Sequence, residues 1–353
     1  MTSPDDERSP DQPDENESGQ AEVTPAQRRK RRRFATVFFT VLLVVVLAGG
    51  AAVAYYLGRV SRAIDHVSRN SSMMPSDTSS DGSPRPAEPT NTAASGQPMT
   101  FVLMGSDSRG ADQGRSDSLM VAYLSGDRKD IYLVSFPRDM WVTVPGRGEA
   151  KINAAYSWGG PPLTIATLES MLNVRMQHAA VIDFEGFIKL TDVLGGVTVY
   201  NSQASASDGY TFPEGEITIQ GKQALAYVRE RYDLARGDLD RASRQRDVVT
   251  AIMKKTLTPE TLANPVKFGQ TVDTFAACMT VSSELDSKTI RSVATSLRVN
   301  PETGIHSLQA PIDGFGTSAD GQSIDVVDKA GLAELAKAMQ TDTMDAYAKK
   351  YGA

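Results

Sequence analysis

An uncharged run of about 24 residues, FATVFFTVLLVVVLAGGAAVAYYL from Phe34 to Leu57, constrains this chain more than any other feature. About 20 apolar residues cross the hydrocarbon core of a bilayer, so the run predicts one transmembrane helix over 34–57. Directly before it stands RRKRRR, Arg28 to Arg33, six cations in a row. Such a cluster stays on the cytoplasmic side, which places the N-terminus inside and the bulk of the chain outside. Tyr55 and Tyr56 fall at the far end, where aromatic rings favour the membrane interface. A cleaved signal peptide would have a shorter apolar core and lie nearer the start, whereas here an acidic, Pro-rich tail comes first. The run is therefore read as an uncleaved anchor.

The flanks follow from composition. Residues 1–33 read as a disordered cytoplasmic tail ending in the basic run. Residues 58–98, dominated by Ser, Pro, Asp, Thr and Gly, read as a flexible extracytoplasmic linker. Residues 99–353 are left as one folded domain, long enough to bury a large core. The net charge of −6 and the short acidic tail argue against nucleic acid as a partner. Cys278 is the single cysteine, so no internal disulfide forms, and it reads as a small buried hydrophobe. His66, His178 and His306 are scattered, unlike a zinc site.

Short apolar runs at 100–104, 118–124, 131–136, 179–183 and 196–200 suit strands. Helical spacing marks 161–172, 184–194 (stopped by Gly195-Gly196), 220–229, 239–257, 287–297 and 328–340. Strands alternating with helices predict a layered α/β/α sandwich, and the adjacent strands before Asp139 make its central sheet mixed.

The polar residues that stand out follow these apolar runs. Asp107 and Arg109 lie in GSDSRG, Arg115 and Asp117 in GRSD, Arg138 and Asp139 in SFPRD, and Lys151 in KINAAY. Further on, ALAYVRERYDLARGDLDRASRQ carries Arg229, Arg231, Arg241 and Gln245. From Lys222 to Lys255 nine basic residues stand against five acidic ones, a local excess of four in an acidic chain. Arginine predominates, and its planar fork matches phosphate oxygens in pairs. An Arg-x-Arg pair on extended chain would project Arg229 and Arg231 to one side, while Arg241 and Gln245 share one helical face. A bland reading is also open: a salt-bridged helix surface would pair Arg241 with Asp238 or Asp240. The carboxylates Asp107 and Asp117 add something such a surface does not explain, since Mg²⁺ takes one or two carboxylates plus phosphate oxygens. Arginines and a metal around one substrate suit phosphoryl transfer.

Taken in order, GSDSR, GRSD, SFPRD, KINAAY, DFEGFIKLTDVLGGV and QALAYVRER…GDLDRASRQ resemble the LytR-CpsA-Psr family of cell-wall enzymes, over about residues 100 to 255. The resemblance implies transfer of a glycopolymer from a polyprenyl-pyrophosphate carrier to the 6-hydroxyl of N-acetylmuramic acid in peptidoglycan. A phosphodiester forms and polyprenyl phosphate leaves. It also implies that Asp107 and Asp117 hold Mg²⁺ (or Mn²⁺), and that Asp107, Arg138, Arg229 and Arg231 are catalytic. Arg109, Arg115, Arg138, Lys151, Arg229, Arg231, Arg241 and Gln245 would then grip the pyrophosphate, with Asp139 bracing a neighbouring arginine. The family fold brings an apolar prenyl-lipid pocket, for which Phe184, Phe187, Ile188, Leu190, Val193 and Leu194 are candidates. The small extra C-terminal domain of many relatives is expected to be absent. The partners implied are the lipid-linked glycan, peptidoglycan and the membrane of a Gram-positive or actinobacterial envelope. Two alternatives use the same features: a polyprenyl-pyrophosphate pyrophosphatase, and a non-catalytic lipid-carrier scaffold. A transcriptional regulator is disfavoured, since no helix-turn-helix pattern is found.

Overall fold

The computed structural model describes residues 55–56, 58–59, 61–77, 84–89, 96–106 and 116–352. The expected tail over 1–33 and, save for Tyr55 and Tyr56, the expected span over 34–57 lie outside the described residues. Among the described residues no helix is long and apolar enough to cross a membrane.

Seven strands form the central sheet: β1 (Ser68–Asn70), β2 (Met99–Ser106), β3 (Ser116–Leu124), β4 (Ile131–Ser135), β7 (His178–Asp183), β12 (Met279–Ser282) and β13 (Ile305–Gln309). Their order is β1-β12-β7-β2-β3-β4-β13. Antiparallel pairing joins β2, β3 and β4, whereas β7 adds parallel to β2 and β13 parallel to β4. The sheet is mixed, as the adjacent apolar runs imply. Among the described residues four two-stranded antiparallel pairs lie outside it: β5 (Trp141–Val144) with β6 (Gly148–Lys151), β8 (Val197–Asn201) with β11 (Gly215–Ile219), β9 (Ser205–Ser207) with β10 (Tyr210–Phe212), and β14 (Ile312–Thr317) with β15 (Ser323–Val327). The helices are α1 (Ile152–Leu172), α2 (Phe184–Val193), α3 (Gly221–Arg229), α4 (Asp238–Thr256), α5 (Pro259–Ala263), α6 (Pro265–Cys278), α7 (Ser287–Ser296), α8 (Lys329–Thr341) and α9 (Met344–Tyr351).

Strand periodicity explains the layering. Val102, Met104, Val121 and Tyr123 pack with Ile165, Leu168 and Leu172 of α1 and with Leu335 and Met339 of α8. Their sequence neighbours Phe101, Leu103 and Leu124 point to the opposite face, toward Val249 and Met253 of α4. Helices thus cover both faces. Helix α1 starts earlier than the spacing at 161–172 predicts, at Ile152, and is interrupted at Gly159-Gly160. Gly160 has φ +62°, a left-handed conformation that suits glycine, and Pro161 then opens the second segment, where a missing N–H is harmless.

The linker expected over 58–98 does not hold for its described parts. Residues 61–66 are helical, β1 pairs with β12, and Met73 and Met74 sit in the main core at 2% and 8% exposure. Arg85 reaches buried Glu169 through Nε–Oε2 at 2.9 Å and Nη2–Oε1 at 2.6 Å. Averaged composition hides a few strong anchors spaced along a polar stretch. Cys278 is half-buried at the end of α6, not buried as expected, because its position closes a helix at the edge of the layer.

Candidate active site

Two backbone devices assemble the polar cluster. First, Trp141 pairs with Lys151 in the β5–β6 hairpin, and the N–H groups of Ile152 and Asn153 donate to the carbonyls of Met140 and Arg138. SFPRD and KINAAY are thereby held side by side. Second, Gly237 caps α4 with φ +51°, which suits glycine and lets Asp238 open the helix. An acidic residue there is favoured by the positive end of the helix dipole.

Asp238 is the hub. Arg138 Nε donates to its Oδ2 at 2.6 Å, Arg241 Nη2 lies 3.3 Å from Oδ1, and Arg231 Nη1 lies 3.8 Å from Oδ1. Lys151 Nζ contacts Asp139 Oδ1 at 3.0 Å, with Arg138 3.6 Å from Oδ2. Arg138, Lys151, Arg231 and Arg241, singled out from separate motifs, therefore meet. The ion pair of a bland helix surface, Arg241 with Asp238, is present within the same cluster.

The two carboxyls titrate as a pair. Burial and a hydrogen bond to Asp238 push Asp139 upward, against Lys151 and Arg138. Burial also opposes ionisation of Asp238, but the hydrogen bond from Asp139 and the guanidinium groups of Arg241 and Arg138 outweigh it and hold its pKa low. A proton shared between them resides on Asp139.

Arg229 closes α3 rather than lying on extended chain, so the shared direction expected of Arg229 and Arg231 is not realised. The cause is local, since the helix runs to Arg229 and turns extended only at Glu230. Glu230 Oε1 then accepts the N–H groups of Tyr232 and Asp233 at 2.6 and 2.9 Å, fixing the loop. Arg231 Nη2 donates to the Tyr232 hydroxyl at 2.7 Å, with its guanidinium 4.7 Å from the ring centre. Asp107, Arg109 and Arg115 lie outside the described residues, and Asp117 is described in its backbone alone. Ser106 pairs with Ser116 at the last rung of β2–β3, and the register shifts between that rung and Gly105–Ser118, which leaves Asp117 at an irregularity of β3.

A cavity of about 220 Å³ opens on the sheet face beneath α2, α3, α4 and α6. Its floor contains Gly105, Ser118 and Ala180, residues too small to fill the space above them, and its walls include Phe187, Leu225, Ile252 and Phe275. Of the pocket candidates, Phe187 and Leu190 line it. Ile188, Val193 and Leu194 do not, and Leu194 is instead fully buried in the core, because one helix presents one face to the cavity. Val228 and Gln245 also line it, with Gln245 Nε2 donating to the Val228 carbonyl at 3.3 Å. These two residues adjoin Arg229 in sequence and Arg241 one helical turn away. Two residues of the apolar lining thus adjoin arginines along their own helices.

A model of the LytR_cpsA_psr family matches residues 63–341. The chain belongs to the LytR_cpsA_psr family. It is similar to TagU of Oceanobacillus iheyensis, named a polyisoprenyl-teichoic acid–peptidoglycan teichoic acid transferase, at 34% identity over 229 residues. That match covers 63% of this chain and 69% of the relative. Other relatives of that name match over only about half of their length, 53%. Among solved structures it resembles protein gbs0355 of Streptococcus agalactiae, with TM-score 0.61, 27% identity and coverage of 70% and 88% of the two chains. It also resembles TagT bound to LI-WTA, with TM-score 0.54, 27% identity and coverage of 70% and 91%.

In this LytR_cpsA_psr chain two carboxyls of the cluster were poorly marked in the sequence. Asp238 stood out only as a charge near Arg241, and the Gly-Asp step that opens α4 was its one signal. Asp325, on β15, had none: it sits in an ordinary strand pattern, yet its carboxyl faces Asp139 and Asp238.

Proposed function

We propose that this member of the family transfers a glycopolymer from a polyprenyl-pyrophosphate carrier to the 6-hydroxyl of N-acetylmuramic acid in peptidoglycan, releasing polyprenyl phosphate. The observation that carries the reading is an apolar cavity lined by Val228 and Gln245, next in sequence to Arg229 and one helical turn from Arg241. An isoprenoid tail with a pyrophosphate head is an amphiphile of that form. The named activity of the Oceanobacillus relative and the ligand of TagT support the same substrate class.

In this reading the acceptor oxygen attacks the phosphorus that bears the glycan, a new P–O bond forms, and the bond to the bridging oxygen breaks. Polyprenyl phosphate leaves with that oxygen. Arg138, Lys151, Arg231 and Arg241, with Arg229 and Gln245, hold the phosphates in line and neutralise the charge that develops on them. Arg109 and Arg115 are assigned to the same grip. Asp238 and Asp139 keep the guanidinium groups aimed before substrate arrives, which lowers reorganisation during transfer. Asp107 and Asp117 are assigned as the carboxylate oxygens that would hold Mg²⁺ (or Mn²⁺), an assignment that rests on the motifs GSDSRG and GRSD. Bound there, the metal would supply further neutralisation of the pyrophosphate. The apolar run at 34–57 anchors the protein with its catalytic domain outside, where a prenyl-linked substrate presents its head group.

The test uses the full chain in detergent with Mg²⁺, a prenyl-pyrophosphate carrier labelled in its glycan, and peptidoglycan oligosaccharides. Label should move to the peptidoglycan fragments, and Arg231→Ala or Arg241→Ala should cut the rate about a hundredfold. Label released only as free glycan phosphate would replace transfer with hydrolysis. Lipid binding without turnover would leave a scaffold.

A further inference from the structure

Asp325 is a buried carboxyl that the transfer scheme leaves unused. The β14–β15 hairpin delivers it from more than 180 residues downstream of Asp139. Its backbone is locked in register with the turn at Asp139: Asp325 N–H donates to the Asp139 carbonyl at 2.9 Å, and Met140 bridges to it in parallel. The residue is 4% exposed, and Oδ2 is buried without a hydrogen-bond partner among the described residues. An unsatisfied buried carboxyl costs stability, so its retention calls for an explanation.

The groups facing it come from every neighbouring element. Asp139 and Arg138 follow β4, Lys151 ends β6, and Asp238 opens α4. The three carboxyls differ in how they are used. Asp238 gathers Arg138, Arg231 and Arg241, and Asp139 takes Lys151, whereas Asp325 lies beyond ion-pair distance of any described cation. Its charge therefore acts on Lys151 and Arg138 through space, opposing the approach of phosphate without tying up either of them. Burial first, then the Asp139 and Asp238 carboxylates, push its pKa to about 6. The opposition is thus present at neutral pH and lifted in acid.

We propose that Asp325 is a positioning residue of the transfer reaction, acting through Asp139 and Lys151 to loosen the grip of the site on phosphate so that the prenyl phosphate product leaves. A cluster of four cations risks holding its product too long, and a nearby charge corrects this without removing a ligand. The inference rests on the transferase reading above and adds product release to it.

The experiment uses the full chain in detergent with two probes. One is a short prenyl-pyrophosphoryl-N-acetylglucosamine, a diester that does not titrate between pH 5 and 8. The other is farnesyl phosphate, as the product inhibitor. Asp325→Asn should lower both the KM for the first and the Ki of the second about three- to tenfold at pH 7.5, as expected from removing one nearby charge. Its kcat should fall, because release slows. For the native protein, diester binding should weaken as pH rises through 6; for Asp325→Asn it should be flat across that range. Asp325→Glu should restore the native values, and in a Lys151→Met background the Asn substitution should change diester affinity far less. Unchanged KM, Ki and pH dependence in Asp325→Asn, or weaker binding of both probes with a lower melting temperature, overturns the proposal and leaves the transferase reading standing. If the native protein binds neither probe, the transferase reading falls and the proposal falls with it.

Discussion

Asp238 shows how one carboxylate can organise several cations that act on something else. Its contacts with Arg138, Arg241 and Arg231 draw three guanidinium groups from separate segments to one carboxylate. Asp238→Asn removes the charge but keeps the shape, so the arginines lose their aim while the fold persists. Transfer should fall about a hundredfold, as misplaced reacting groups do; unchanged kcat/KM at full folding would show that the arginines position themselves. Asp325 makes a separate prediction about stability. Its carboxyl keeps a proton to about pH 6 in the folded protein, against 3.8 as its ordinary value. The neutral form is thus favoured in the fold: the stabilisation is complete below the ordinary value and is lost as pH rises through about 6. The difference corresponds to about 3 kcal/mol. Urea titrations of the native protein should show this decline between acid and neutral pH, and Asp325→Asn should lack it. Parallel curves would count against the assignment.

Elements decide where the apolar cavity lies. Helices α2, α3, α4 and α6 cross a floor of Gly105, Ser118 and Ala180, and the missing side-chain volume becomes the cavity. Ala180→Phe should fill it at a cost of about 1–3 kcal/mol in stability. It should raise KM for a long-chain prenyl donor about tenfold or more, since several apolar groups lose their burial. A donor with a very short chain should be almost unaffected, and equal losses for both donors would argue that the space does not hold the tail. The stretch at 84–89 is tied in by the buried Arg85–Glu169 pair. Glu169→Ala leaves a buried guanidinium uncompensated and should destabilise the domain by about 3–5 kcal/mol, read as a shifted denaturation midpoint.

At the scale of the whole molecule, topology sets which substrates are in reach. If the run at 34–57 is the anchor, the six cations before it hold the N-terminus inside. Replacing Arg28, Arg29, Lys30, Arg31, Arg32 and Arg33 with Ser should weaken that orientation. Protease added to intact spheroplasts should digest the domain of the native protein but spare part of the altered one. A native domain that resists protease would overturn the outer placement.

Much of the fold was legible along the chain. Strand runs at 100–104, 118–124 and 131–136 and the helix at 239–257 appear within a few residues of their expected places, because hydrophobic period is a local property. The members of the basic cluster were legible as well, since Arg138, Lys151, Arg231 and Arg241 are polar groups next to apolar runs. Contact between distant segments was not legible. Met73 and Arg85 join the core only because α1 and the sheet provide partners, and the extended Arg229–Arg231 pair gave way to a helix end. Asp325 reaches the site only through a hairpin laid beside Met140. The sequence by itself determined which residues are apolar, charged or helix-forming, since each depends on near neighbours. Tertiary structure alone decided which carboxyls meet which cations and where small residues leave a cavity, since those depend on burial between segments far apart in the chain.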